Sequence, residues 1–232
     1  MPAQQPNNMS HEFLQFLYDL SQNNNRDWFE KNKARYEAQV KKPFAQLVGQ
    51  LIERIRLFDA AYDNLQPKDC VFRIYRDTRF SADKTPYKTH VSAVFVPKGK
   101  RTMEDMAYPG YYFQIEYGSL SIGGGAYFLD KPALQQVRTA ILHDTARFHQ
   151  LLENEAFIQK YGAIKGEKNK VMPPEFKDAA KTEPLLYNKQ FYFMAELDPE
   201  ISLRPDFSDF VADYFRTAQP LNEFFRQALK AG

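Results

Sequence analysis

The run Tyr111 to Phe128, Y-Y-F-Q-I-E-Y-G-S-L-S-I-G-G-G-A-Y-F, carries two alternating apolar stretches on either side of Gly118-Ser119. A period of two marks strands with one buried face, and glycine first in a two-residue loop suits a type II′ turn. Pairing Tyr117 with Leu120 across that turn sets Glu116 opposite Ser121, Gln114 opposite Gly123 and Tyr112 opposite Gly125, all on one face. Phe113, Ile115, Ile122, Gly124 and Ala126 take the other face. The hairpin therefore has a core side and a polar side floored by glycine. Three successive glycines weaken a strand, which predicts a bulge or the close approach of a ligand or of another backbone.

Upstream, Val71 to Arg76 and Val91 to Val96 read as two further strands, joined by a connection of about fourteen residues, longer than an ordinary hairpin loop. Downstream, Phe191 to Leu197 is apolar on both faces and reads as an interior strand. Helical spacing surrounds these runs. Ser10 precedes Phe13, Phe16, Leu17 and Leu20, and a second stripe runs from Phe44 to Phe58 behind Pro43, which marks a break or a fresh first turn. Asp130 caps a helix with Pro132 just inside it, and Asn154 opens a short helix that Gly162 ends. Two last stripes flank Pro220, and Ala163 to Asn188 reads as loop with short helical turns. The order of elements predicts an α+β fold: a single domain over 9–232, with a largely antiparallel β-sheet covered by N-terminal and C-terminal helices, behind a disordered N-terminus at 1–8.

Composition excludes several classes. The 31 Lys and Arg residues against 29 Asp and Glu leave a net charge of +2, so the molecule as a whole is not built for nucleic acid or membrane, and anion affinity must come from local clustering. The single Cys70 rules out an internal disulfide framework. The N-terminus lacks a signal-peptide pattern and no apolar run is long enough to span a membrane, which leads us to expect a cytoplasmic protein. The four histidines show no metal-binding spacing, so no metal and no cofactor is expected. Walker, dinucleotide-binding and nucleophile-elbow motifs are also missing from the sequence.

Between the two upstream strands, Val71 to Val96 packs Arg73, Arg76, Arg79, Lys84 and Lys88 among Asp77, Asp83, Tyr75, Phe80 and Tyr87. Five cations face two carboxylates over Arg73 to Lys88, so pairing inside the segment leaves three cations over. Arginine presents a planar fork of donors to phosphate or carboxylate, and lysine a compact charge. If Arg73 shared a face with Gln114 and Glu116, the cluster would roof the polar side of the hairpin. That arrangement gives an anion site with Arg73, Arg76, Arg79, Lys84 and Lys88 as binding groups and Asp83, Gln114 and Gly124 beside them. Tyr75 and Tyr87 would stack on a base or sugar, and Asp77 or Glu116 would serve as general base. An ion-pair network of Asp77 and Asp83 with these arginines needs no ligand and explains the same residues.

R-I-Y-R-D-T-R-F-S-A-D-K-T-P-Y-K, over 73–88, resembles the hallmark of a bacterial family, also reported in some fungi, known as domain of unknown function 2461. N-N-N-R-D-W-F-E-K-N-K-A-R-Y, P-G-Y-Y-F-Q-I-E, I-G-G-G and G-E-K-N-K match its other landmarks, so the likeness spans nearly the whole chain. It implies a shared fold and marks Arg73, Arg76, Asp77, Arg79, Phe80, Asp83, Lys84 and Tyr87 as hallmark positions. It implies no activity. Function is therefore expected from the residues: binding, with turnover left open, of a phosphate-bearing small molecule or nucleotide at an Arg/Lys-rich pocket on the sheet. The alternatives are a protein or nucleic-acid interaction module using the same basic surface, and a purely structural ion-pair network.

Overall fold

The computed structural model describes residues 9–62, 64–97, 99 and 103–230. The expected disordered segment at 1–8 lies outside the described residues. Four strands, β1 (His90–Phe95), β2 (Gly110–Glu116), β3 (Ser119–Ala126) and β4 (Phe191–Leu197), form one antiparallel sheet in the order β1-β2-β3-β4. Helices α1 (His11–Gln22), α2 (Arg26–Tyr36) and α3 (Lys42–Arg56) precede it. Short α4 (Pro67–Cys70) and α5 (Met103–Ala107) flank β1. Next come α6 (Lys131–His143), α7 (Thr145–Leu152) and α8 (Glu155–Tyr161) between β3 and β4, and α9 (Phe207–Lys230) closes the chain. This is the α+β arrangement expected.

Helices α2 and α3 run on through a π-helical turn at Glu37–Lys41, and Pro43, which has no N–H to give to that turn, follows it directly in the first turn of α3. Asp130 and Asn154 cap as expected, accepting from the Ala133 and Phe157 amides, and Gly162 ends α8 at φ +73°, whereas Ser10 holds the N-cap position of α1 without a side-chain cap bond. Pro220 does not divide the C-terminal region, because α9 runs through it as one helix of 24 residues. Its buried stripe of Phe207, Val211, Phe215, Leu221 and Phe225 joins Phe44, Leu51, Phe113, Ile122 and Phe193 in one continuous core on the helical side of the sheet.

The hairpin register differs from expectation by two residues. Glu116 pairs with Ser119 and Tyr112 with Gly123, so the loop is Tyr117-Gly118, and Gly118 supplies the positive φ of +89° at its second position. An even shift leaves every side chain on its expected face. The ladder runs unbroken through the glycines, without a bulge. Their absent side chains answer instead to crowding within the sheet: a Cβ on Gly124 would lie 2.3 Å from the Gly110 carbonyl oxygen, with the Phe193 ring at 3.1 Å.

Two strand expectations are corrected. β4 is an edge strand, not an interior one, and it is covered on its open side by the 165–168 segment, whose Lys165 exchanges backbone hydrogen bonds with Tyr192. Val71 to Arg76 is not a strand. Val71 bridges Ala93 and the Phe72 amide donates to Ser92 O, after which the segment leaves β1 and pairs with its own return at Pro86 to Lys88. Pro86 has no N–H to give back to Arg76, so this second pairing cannot extend.

Candidate functional site

The face of the sheet turned away from the core carries His90, Ser92 and Val94 of β1, Tyr112, Gln114 and Glu116 of β2, Ser119 and Ser121 of β3, and Tyr192, Met194 and Glu196 of β4. Over this face lies a cavity of about 560 Å³. Its floor is His90, Ser92, Val94, Tyr112, Met194 and Glu196, with the backbone of Gly124 and Gly125. Its walls are Phe72, Lys88, Met106, Tyr108, Tyr127, Phe128 and Lys165. Seven aromatic residues border it.

Its polar groups are fixed by short contacts. Tyr112 donates to Gln114 Oε1 at 2.6 Å, and Ser121 and Ser119 donate to the Glu196 carboxylate at 2.9 and 3.3 Å. Lys165 Nζ donates to Met194 O at 3.2 Å, and Lys88 Nζ stands 5.1 Å over the Phe72 ring. Burial, reinforced by Lys88 and Arg76, pushes the His90 imidazole down to about 4, so it is neutral near pH 7. Burial and then the neighbouring Glu196 raise Glu116 above the usual carboxylate range, and burial raises the Tyr112 phenol. An aromatic cavity with the perturbed His90 and Tyr112 on its floor marks this face as the site candidate.

Of the expected site residues, the structure brings Lys88, Gln114 and Glu116 to this face, of which Lys88 alone lines the cavity together with the backbone of core-facing Gly124, and leaves the others elsewhere. Because Val71 pairs with core-facing Ala93, it is Phe72 that falls on the same side as Gln114, and Arg73 stands exposed. Arg76 pairs with Asp83 and donates to Thr85. Arg79 forms a forked pair with Asp77 through contacts of 3.0 and 2.7 Å, and Lys84 Nζ donates to Thr78 O at 2.8 Å. The network of Asp77 and Asp83 with these arginines thus exists, on a loop beside the sheet rather than over it. Asp77 is a poor base, since hydrogen bonds from the Arg79 side chain and amide hold it at about 2. Tyr87 is not a stacking face for a ligand: it is 3% exposed, its ring stacked on Phe29 at 4.0 Å, and its backbone clasped by Asn24. Tyr75, 47% exposed, keeps an open face.

Sequence reasoning passed over His90, Ser92, Tyr192, Met194 and Glu196. Their signal was the alternation within β1 and β4, which assigns them to the outer face once the sheet order is known. Tyr108, Tyr127, Phe128 and Lys165 come from connections, where no period exists to place them. Among the described residues no group of three His, Cys, Asp or Glu side chains is placed to hold a metal, and no helix is long and apolar enough to cross a membrane.

The model of the family described as Conserved hypothetical protein (DUF2461) matches residues 12–224. The chain belongs to this family. The match takes in all four strands, the hallmark loop and most of α9, so the cavity and its floor lie wholly inside the family's span. No curated protein and no solved structure matches the chain.

Proposed function

We propose that the outer face of the sheet binds a small molecule made of a flat ring system and an anionic group, a phosphate-bearing metabolite or nucleotide being the closest chemical fit. The observation that carries this reading is the aromatic-walled cavity with Lys88 and Lys165 at its border. Its rings supply apolar area and stacking faces for the planar part. The two ammonium groups supply the charge complement for the anion, with Glu196 held to one side by Ser119 and Ser121. Neutral His90, on the cavity floor, is suited to exchange a proton with a bound ligand, which makes it the first residue to vary once a ligand is known. The arginines of the hallmark loop take no part in this site.

The test is calorimetric titration with a panel of nucleoside monophosphates and aryl phosphates. Saturable binding is expected, weakened about tenfold or more by Lys88→Ala, blocked by Val94→Phe, which fills the cavity from β1, and unchanged by Arg79→Ala. Binding that survives Val94→Phe but disappears in Arg79→Ala would sink the assignment, as would a panel with no binder.

A further inference from the structure

The hallmark loop remains to be accounted for. Its base is fixed: Asn24 clasps the Tyr87 backbone in both directions at 2.9 and 3.1 Å, Tyr87 stacks on Phe29, and Arg76 ties to Asp83 and Thr85. Its tip is the opposite. Phe80 is 95% exposed, with the Arg79 guanidinium 5.7 Å from its ring centroid. A large aromatic held in water on an anchored loop gains nothing for the fold.

Beside the tip, the loop and the α1–α2 turn enclose a groove of about 690 Å³ lined by Arg26, Arg76, Lys84, Tyr75, Asn24 and Asn25 among others. Glu30 is the one carboxylate on its lining, against three cations. Arg26 and Arg73 have no ion-pair partner among the described residues. The groove shares no lining residue with the sheet cavity.

We infer that this groove and the Phe80 tip form a second site, which binds a short single-stranded nucleic acid. Arg26 and Lys84 on its lining meet its phosphates, and Tyr75 there and Phe80 at the loop tip offer ring faces to successive bases. Base stacking on an exposed aromatic is tolerant of sequence, and a cationic groove alongside tracks the backbone. The anchored loop base means that little order has to be created on binding. A duplex hides its bases from such a tip. A lipid surface would call for more apolar side chains than Phe80, whose neighbours are Ser81 and Ala82.

The experiment is fluorescence anisotropy with labelled poly-dT of about 12 nucleotides, within the span such grooves cover, at several salt concentrations. Phe80→Ala is expected to weaken binding at least fivefold, the loss that about 1 kcal/mol of stacking corresponds to, and Phe80→Trp to restore it. Lys84→Ala should lower the slope of log affinity against log salt by about one. Both positions are exposed, so the variants keep the fold, which circular dichroism checks. The inference is overturned by no binding, by binding indifferent to Phe80, by equal affinity for the matched duplex, by competition from dTMP at equal phosphate concentration, or by Phe80-dependent binding to phosphatidylserine vesicles without binding to the oligomer. Lys88→Ala should leave oligomer binding intact, so failure here and failure of the sheet-cavity reading are separate results.

Discussion

Arg226 is 1% exposed about one turn from the end of α9, and its surroundings explain how a guanidinium is tolerated there. Its Nη2 lies 2.8 Å from Asp59 Oδ2, which also accepts from the Tyr111 hydroxyl at 3.0 Å, and its Nε reaches Glu223 at 3.0 Å. Asp59 is itself buried, so charge and countercharge leave water together and each depends on the other. Among the described residues Arg226 Nη1 has no hydrogen-bond partner, so the pairing is already incomplete. Removing Asp59 would leave the buried cation to Glu223 alone and orphan the Tyr111 hydroxyl. Breaking a buried pair from one side costs about 3–5 kcal/mol, and Asp59→Ala is expected to lower the unfolding free energy in urea by at least about 3 kcal/mol. A loss below about 1 kcal/mol, the range of an exposed pair, would show that water reaches this cluster. Nothing in the sequence around Asp59 or Arg226 announces their partnership, because 167 positions separate them.

At the scale of elements, the hallmark loop is joined to the body by the turn between α1 and α2. Asn24 supplies two of the ties, donating to Tyr87 O and accepting from its amide. Asn24→Ala should therefore cost about 1–3 kcal/mol, the penalty for stranding partly buried groups, and should speed hydrogen exchange at the Tyr87 amide before any amide of β2 or β3. Exchange that accelerates uniformly would mean that the loop and the sheet open as one unit. The sequence disclosed elements where a local rule suffices. Caps at Asp130 and Asn154, the stop at Gly162 and the outward and inward faces of β2 and β3 all follow from neighbours within a few residues. It misplaced elements where distant chain decides. Val71 to Arg76 has strand composition, yet its pairing is shared between β1 and its own return. The β4 segment, Phe191 to Leu197, is apolar on both sides because helices cover one face and the cavity's aromatic walls stand over the other, not because strands flank it. Pro220 failed to end a helix because packing of α9 against the sheet outweighs the one hydrogen bond that a proline removes.

For the molecule as a whole, the residues expected at one site divide between the sheet face and the loop beside it, and geometry accounts for the division. Charge clustering in the sequence located a segment rich in cationic side chains, but which face each residue joins depends on one pairing, Val71 with Ala93, that no local pattern specifies. The same distribution of charge sets how the protein responds to acid, in two stages with separate causes. The first belongs to His90, which faces Lys88 and Arg76 and is in register with Glu116. Its folded value of about 4 lies below the ordinary 6.5, so the unfolded chain takes up a proton that the folded one refuses, and stability falls as pH drops from 6.5 towards 4. Glu116, raised by burial and by Glu196, works in the opposite sense and blunts that fall. The second stage belongs to carboxylates held low by hydrogen bonds: Asp83 at about 2 through Arg76 and Thr85, and Asp77 at about 2 through Arg79. Their contribution is complete above the ordinary carboxylate value of 3.8 and is lost as pH falls from there towards 2. Because these pairs are exposed, the second stage is shallow and screened by salt. Urea midpoints measured from pH 7 to pH 2 should therefore decline twice. His90→Gln should remove the decline between 6.5 and 4 and leave the lower one, whereas about 1 M sodium chloride should flatten the lower one and leave the upper, since His90 is shifted first by burial, which salt does not screen. A single decline abolished by salt would place the whole acid response in the surface pairs and return His90 to solvent.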